Sequence, residues 1–171
     1  MAKASTLFEI MSRDKVDVDE MAFHMNNDLH LTKTGGMFVT SIIGNYNIIT
    51  DEISWVNAGH QPALIRDDKG NFDEIESKSP PLGVIRQGSK SSYFVNKYNL
   101  NGHRFYGFTD GLSESLDKNN KEIGIDGSKE VININFNKDP NDELSSIAKE
   151  IAANANNKKL SDDLTLIVIG K

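Results

Sequence analysis

The sequence predicts an α+β domain built from layers of helices and sheets, because helical and strand patterns occupy separate parts of the chain. Apolar residues at helical spacing fill the first part. Runs of β-branched and aromatic residues separated by turn residues follow, and a capped helix then precedes a final apolar run. A chain of 171 residues is expected to form one domain, residues 1–171, with its own hydrophobic core.

Two helices are predicted at the start. In residues 1–12 apolar side chains recur at i, i+3, i+4 and i+7, namely Ala4, Leu7, Phe8 and Met11. Asp17 is expected to cap a second helix, with Glu20 completing a capping box. The apolar face of that helix comprises Val18, Met21, Ala22, Met25 and Leu29.

A series of strands is predicted next, at 37–43, 53–58, 63–65, 93–95 and 104–109. Turns are expected at 45–47 and 50–52, and 67–71 has the composition of a hairpin turn. The strands at 53–58 and 63–65 are expected to extend the same sheet.

The last part of the chain predicts a helix and a strand. Asp139 is the expected cap and Pro140 the first helical residue. Its buried stripe is expected to comprise Leu144, Ile147, Ala148, Ile151 and Ala155. The nearly unbroken apolar run 164–169 predicts a strand at the centre of its sheet. The segment 131–136 fits a strand or a helix.

Composition excludes several classes of function. The net charge is −6, from 19 basic and 25 acidic residues, and no basic stripe appears, so nucleic acid is not an expected partner. There are no cysteines, which excludes disulfides and cysteine-based zinc sites. No apolar run reaches the roughly 20 residues of a membrane span, and no signal peptide is evident. A cytoplasmic protein, or the cytoplasmic domain of a larger membrane protein, is expected.

Acidic residues stand beside two of the predicted apolar strands. Asp110 follows the strand at 104–109, and Asp162 and Asp163 precede the last one. Carboxylates are ligands that Mg²⁺ and Mn²⁺ prefer. Neighbouring strand residues point to opposite faces, so one of Asp162 and Asp163 is expected to face a given cleft. The alternative is that both segments are simple turns. Similarly, Asn57, Gly59 and His60 could be a strand that ends in a glycine turn with a surface histidine.

The order of the motifs adds a further indication. The chain reads GGMFVTSIIG, ISWVNAGHQPALI, PPLGV, FYGFTDGLSES and SDDLTLIVI. This order resembles the PPM-type (type 2C-like) metal-dependent protein phosphatases, and within them the bacterial sporulation stage II protein E and sigma-factor regulator branch. The resemblance implies a four-layer α-β-β-α sandwich with two antiparallel sheets. It also implies hydrolysis of phosphoserine or phosphothreonine in proteins by two Mn²⁺ or Mg²⁺ ions that bridge and activate a water.

The same resemblance implies roles for individual residues. Asp110 and Asp162 match metal-ligating aspartates of the family, and Asp163 holds the second position of the late motif. Gly111 is expected to let the chain turn sharply behind Asp110. The matched motif of Asn57, Gly59 and His60 is expected to shape the sheet edge near the site. No side chain serves as the nucleophile.

One expected feature has no counterpart. The family's early acidic glycine loop, which supplies a carboxylate bridging both metals, would precede the first helix, so the chain is expected to lack about the first 50 residues of the domain and its first strands. It would then be the C-terminal three quarters. Weak metal binding is expected, and the sheet edges left exposed would favour a homodimer. Candidates for gripping the phosphate are Arg66, Arg86 and Arg104.

Two hypotheses of different class follow. In the first, the chain is a phosphatase domain acting on phosphoserine of a regulatory partner, for example an anti-sigma-factor antagonist. In the second, it is a non-catalytic interaction module or inactive fragment with the same fold. A third interpretation, an unrelated Mg²⁺-dependent phosphohydrolase, would require another acidic cluster.

Overall fold

The computed structural model describes residues 2–14, 16–32, 36–154 and 163–170. The helices are α1 (Ala2–Arg13), α2 (Val18–Thr32), α3 (Asp110–Ser113), α4 (Gly124–Asn135) and α5 (Pro140–Asn154). The strands are β1 (Ser41–Asn47), β2 (Glu52–Ala58), β3 (Ala63–Arg66), β4 (Phe72–Ile75), β5 (Val95–Asn99), β6 (Arg104–Phe108) and β7 (Leu166–Ile169). None of the described helices is long and apolar enough to cross a membrane.

The chain divides into two compact units, each with one antiparallel sheet and its own helices. The first comprises Met1–Pro62 and Glu76–Asn101, and the second comprises Ala63–Ile75 and Gly102–Lys171. The sheet of the first unit has the order β1-β2-β5, and that of the second β4-β3-β6-β7. The predicted α+β class with two antiparallel sheets is confirmed.

The core of the first unit lies between α2 and its sheet. The apolar face predicted for α2 is confirmed: Val18, Met21, Ala22 and Met25 are buried, and Leu29 packs against them partly buried. Their partners include Ile43, Val56 and Ala58 from β1 and β2. Ala4, Leu7 and Met11 of α1 join the same cluster, whereas Phe8 is exposed.

The first sheet differs from the sequence prediction at three boundaries. Residues 45–47, predicted as a turn, are strand residues that pair with Glu52–Ser54. The turn follows them, because the Asn47 side chain accepts from the amides of Ile49 (2.9 Å) and Thr50 (3.2 Å). β1 begins at Ser41 rather than Met37. β5 runs from Val95 to Asn99 rather than 93–95, since its polar residues obscured the alternation.

Strands β2 and β3, predicted to extend one sheet, belong to different sheets. The hairpin turn at 67–71 is confirmed: Asp67 Oδ1 accepts from the amides of Lys69 (2.9 Å) and Asn71 (2.8 Å). Strand β7 was predicted to be central, but among the described residues it pairs with β6 alone and ends the sheet, and Ile167 is 54% exposed. The apolar run therefore predicted the strand correctly but did not predict its position within the sheet.

Helix α4 resolves the ambiguous segment 131–136, whose first five residues form its last turns. Helix α5 begins at Pro140 as predicted, and Asp139 Oδ1 accepts from the Asn141 amide (2.8 Å). Ile147 and Ile151 are buried, but Ala148 is exposed and Leu144 is partly buried. Ala155 lies outside the described residues. The residue that completes the buried stripe is Glu143, which is fully buried.

Candidate metal-ligand site

Asp110 stands at the end of a strand whose five residues, Arg104–Phe108, are all buried. The strand does not end in a simple turn. Thr109 keeps an extended backbone (φ −82°, ψ 163°), and Asp110 is the first residue of the one-turn helix α3. The Asp110 side chain is partly buried, and its Oδ1 accepts from the Gly111 amide at 3.1 Å. That bond fixes one carboxylate oxygen and leaves the other for a ligand.

Gly111 is required for a different reason from the one predicted. It lies in the first turn of α3 and is not among the glycines with positive φ, so it does not produce a sharp turn. A Cβ at this position would lie 2.6 Å from the Asp163 carbonyl oxygen and 3.2 Å from the Leu164 Cα. Glycine is therefore needed because the backbone of residues 163–164 passes directly against α3.

The two acidic segments are held together by Thr109. Its amide donates to the Thr165 carbonyl (3.0 Å), and its Oγ1 accepts from the Thr165 amide (2.9 Å) and donates to the Asp163 carbonyl (3.0 Å). The structure thus brings the segment of Asp110 and that of Asp163 into backbone contact. Asp163 is exposed, and Asp162 lies outside the described residues.

The donors in this place are of the right chemical type for a hard divalent cation, since they are carboxylates and backbone carbonyls. The set is incomplete in the described part of the chain. Within residues 2–14, 16–32, 36–154 and 163–170, no group of three or more histidine, aspartate or glutamate side chains is arranged to hold a metal ion. Asp110 and Asp163 could therefore supply some of the ligands of a divalent metal ion, but not all of them.

The Asn57-Gly59-His60 motif lies in the first unit and forms a closely hydrogen-bonded turn after β2. The buried Asn57 side chain donates to the Gln61 carbonyl (2.8 Å) and accepts from the His60 amide (2.9 Å). The simpler of the two predictions for this motif, a strand that ends in a glycine turn with a surface histidine, matches the backbone but not the histidine, and a role in shaping the site stays a prediction. His60 is partly buried, and its Nδ1 lies 3.1 Å from Thr40 Oγ1.

Ser77 is a further member of this turn that no sequence pattern indicated. Its Oγ accepts from the Gly59 amide (2.8 Å) and donates to the Asn57 carbonyl (2.8 Å). A serine 18 residues beyond the glycine carries no local signal, because its partners are backbone groups brought close by the fold. These hydrogen bonds hold the end of β2 in one conformation.

We expect Asn57→Ala to lower the free energy of unfolding by about 1–3 kcal/mol, because it removes two hydrogen bonds of a buried side chain and leaves their part-buried backbone partners without them. Urea unfolding measures this. The control is Asn99→Ala in the same unit, whose exposed side chain donates one bond to the Thr50 carbonyl (3.2 Å). That change is expected to stay within about 0.5 kcal/mol. Equal losses in the two variants would contradict the role assigned to Asn57.

Two of the three arginines considered for phosphate binding have structural roles instead. Arg66 donates to Asn133 Oδ1 (2.6 Å) and to the Asp67 carbonyl (2.9 Å). Arg104 is buried and pairs with Glu143. Both guanidinium groups lie over the Phe136 ring, at 3.7 and 4.8 Å from its centroid. Arg86 is exposed, and a role for it in phosphate binding stays a prediction.

The order of elements and the two antiparallel sheets are similar to those of PP2C phosphatase domains of known structure. The sequence profile of the family described as Stage II sporulation protein E (SpoIIE) matches residues 1–171, and the chain belongs to that family. Both the predicted family and the predicted fold are confirmed. The SpoIIE phosphatase domain of Bacillus subtilis, solved with a fragment of its regulatory domain, has a TM-score of 0.82 at 17% identity and covers 99% of this chain.

Two relatives in sequence extend this finding. Protein IcfG of Synechocystis is 25% identical over 151 residues, which are 86% of this chain and 23% of IcfG. The phosphoserine phosphatase RsbU of Bacillus subtilis is 24% identical over 154 residues, 85% of this chain and 43% of RsbU. The chain likewise covers 49% of the SpoIIE structure, so it spans less than half of each of these proteins. Another structure of the SpoIIE domain, presoaked with manganese, has a TM-score of 0.63 at 15% identity and covers 98% of this chain and 72% of that one.

Proposed function

We propose that the 171 residues belong to one PP2C-type phosphatase domain that hydrolyses phosphoserine or phosphothreonine on a regulatory partner protein. An anti-sigma-factor antagonist is an example of such a partner. The observation that carries the proposal is the contact between the Thr109-Asp110-Gly111 segment and residues 163–165 at the ends of adjacent strands. Membership of a family that includes SpoIIE, and likeness to the phosphoserine phosphatase RsbU, support the reaction class.

Asp110, Asp162 and Asp163 would hold the metal ions, two Mn²⁺ or Mg²⁺ in a complete domain. Such ions, when bound, activate a water for attack on phosphorus and neutralise charge on the phosphoryl oxygens. The chain's own contribution is to orient its carboxylates: the Gly111 amide holds one oxygen of Asp110, and Thr109 holds the backbone of Asp163. The manganese soak of the SpoIIE domain supports the choice of metal.

The test is a phosphatase assay on a phosphoserine peptide with Mn²⁺, with and without a chelator. We expect turnover that the chelator removes and that Asp110→Asn abolishes while the protein stays folded by circular dichroism. Asp126→Asn is the matched control, because it makes the same change of charge at a side chain that is 98% exposed. Turnover retained by Asp110→Asn would remove Asp110 from the site.

The second candidate function is a non-catalytic interaction module with the same fold. Among the described residues, which do not include Asp162, no group of three or more side chains is able to hold a metal, and the module is the candidate that needs none. The same assay separates the two candidates. Absence of any Mn²⁺-dependent turnover from a folded chain would favour the module. A homodimer through the sheet edges stays a prediction.

A further inference from the structure

We propose that Thr109 is a positioning residue whose hydroxyl sets the spacing between the Asp110 segment and the Asp163 segment. This inference rests on the proposed function, because it matters for catalysis only if those carboxylates hold metal. It goes beyond the ligands themselves and assigns a task to a side chain that touches neither metal nor substrate.

The Thr109 hydroxyl connects the two segments just beyond the last residue pair of strands β6 and β7. The last pair between β6 and β7 is Phe108 with Leu166, and beyond it α3 turns the chain away from the strand direction. The Thr109 amide still bonds the Thr165 carbonyl (3.0 Å), but the next bonds come from its side chain. Oγ1 serves as acceptor for the Thr165 amide (2.9 Å) and as donor to the Asp163 carbonyl (3.0 Å).

Only a hydroxyl can make both bonds from one atom, since it carries one donor and two acceptor lone pairs. A methyl group in its place offers neither. The two backbone groups would then bond water, because Asp163 and Thr165 are exposed. The expected cost in stability is therefore small, whereas the acidic segment loses the two bonds that fix its backbone most directly beside Asp110.

Gly111 supports the same geometry from the other side. Its Cα lies so close to residues 163–164 that a Cβ would be 2.9 Å from the Asp163 carbonyl carbon. The acidic segment is thus held by hydrogen bonds at Thr109 and bounded by direct contact at Gly111. Both restraints act on the backbone of residue 163, immediately beside Asp162, whose side chain matches the metal ligand of the family.

The test compares Thr109→Val, which removes the hydroxyl at nearly constant shape, with Thr109→Ser, which retains it. Thr50→Val, at an exposed turn threonine, is the matched control. Three quantities are measured: amide exchange at Thr165 by NMR in metal-free protein, Mn²⁺ affinity by calorimetry, and the melting temperature. We expect Thr109→Val to lose protection at the Thr165 amide and to bind Mn²⁺ about 10- to 100-fold more weakly, the usual loss for a residue that orients a ligand.

Thr109→Ser is expected to retain both properties, and the melting temperature to change little in any variant. Wild-type protection and wild-type Mn²⁺ affinity in Thr109→Val would overturn the inference. A loss of melting temperature with unchanged affinity would reduce Thr109 to an ordinary structural residue and overturn it as well. Failure of the wild-type chain to bind Mn²⁺ would instead contradict the proposed function. The protection of the Thr165 amide would then test by itself whether the Thr109 hydroxyl positions the acidic segment.

Discussion

Glu143→Ala is expected to lower the free energy of unfolding by about 3–5 kcal/mol, because it leaves the charge of Arg104 buried without a negative counter-charge. The two side chains form an ion pair in which Arg104 is 3% exposed and Glu143 is not exposed. The other carboxylate oxygen of Glu143 accepts from the Tyr106 hydroxyl (2.7 Å). Burial and this bond both raise the pKa of Tyr106. One substitution therefore removes the acceptor for two buried groups.

The matched control is Glu74→Ala in the same unit. Glu74 pairs with Lys129 at 2.6 Å, but its side chain is 31% exposed, and pairs of this kind contribute about 0.2–1 kcal/mol. Chemical denaturation of the two variants measures the difference. A loss in Glu143→Ala no larger than that in Glu74→Ala would show that the bonds Arg104 already donates to the carbonyls of Asn137 and Lys138 are enough to compensate its charge.

The double variant Arg104→Met with Glu143→Leu separates lost charge from lost packing. Replacing a whole buried pair by apolar residues is often neutral or stabilising. Recovery of stability in the double variant would assign the loss in Glu143→Ala to the uncompensated guanidinium. No recovery would assign it to the wider network with Tyr106 and the loop carbonyls.

Glu143 also shows how much of the buried face of α5 can be predicted from helical periodicity. The cap at Asp139 and the buried Ile147 and Ile151 of α5 could be predicted, because they depend on local pattern and on helix geometry. The buried face repeats every four residues from 143 through 147 to 151, so Ala148 is turned toward solvent. A pattern of apolar residues alone places Ala148 in the core. It misses Glu143, whose burial depends on Arg104 in a distant strand.

The strands show the same limit. Local composition located β2, β3, β6 and β7, but it did not show that β2 and β3 enter different sheets or that β7 lies at an edge of the described sheet. Strand pairing depends on contacts between residues far apart in the chain, and an apolar run signals burial rather than neighbours. Polar residues in β5 had the opposite effect and shortened the predicted strand.

At the candidate site, the residue pattern left Asp110, Asp162 and Asp163 open between turns and metal ligands, and the resemblance to the phosphatase family favoured metal ligands, which stays a prediction. Local sequence could not supply the bonds of Thr109 to Asp163 and Thr165, which span 54 and 56 residues. Local rules also gave the wrong reason for the glycine at position 111. Glycine suggested a turn, whereas the fold requires it for a close approach between two segments.

Gly59→Ala is expected to destabilise the protein by about 2–5 kcal/mol, because glycine is required at this position on two independent grounds. Its φ of +69° lies in the left-handed region, which costs an alanine about 1–2 kcal/mol. A Cβ would also lie 2.4 Å from Pro81 Cγ and 2.8 Å from its Cδ. The ring of Pro81 is rigid, so relief requires movement of backbone, and overpacking of this kind costs about 1–3 kcal/mol more.

Gly36→Ala in the same unit separates the two causes. Gly36 has a similar φ of +78°, but a Cβ there would meet none of the described residues within 4 Å, so only the backbone cost of about 1–2 kcal/mol is expected. Urea unfolding of both variants gives the difference. A clearly larger loss at Gly59 means that contact with Pro81 defines the turn after β2, and that the glycine of this motif is fixed by packing as well as by φ. Equal losses would mean that the Pro81 loop moves aside at little cost, and that the hydrogen bonds of Asn57 and Ser77 alone hold the turn.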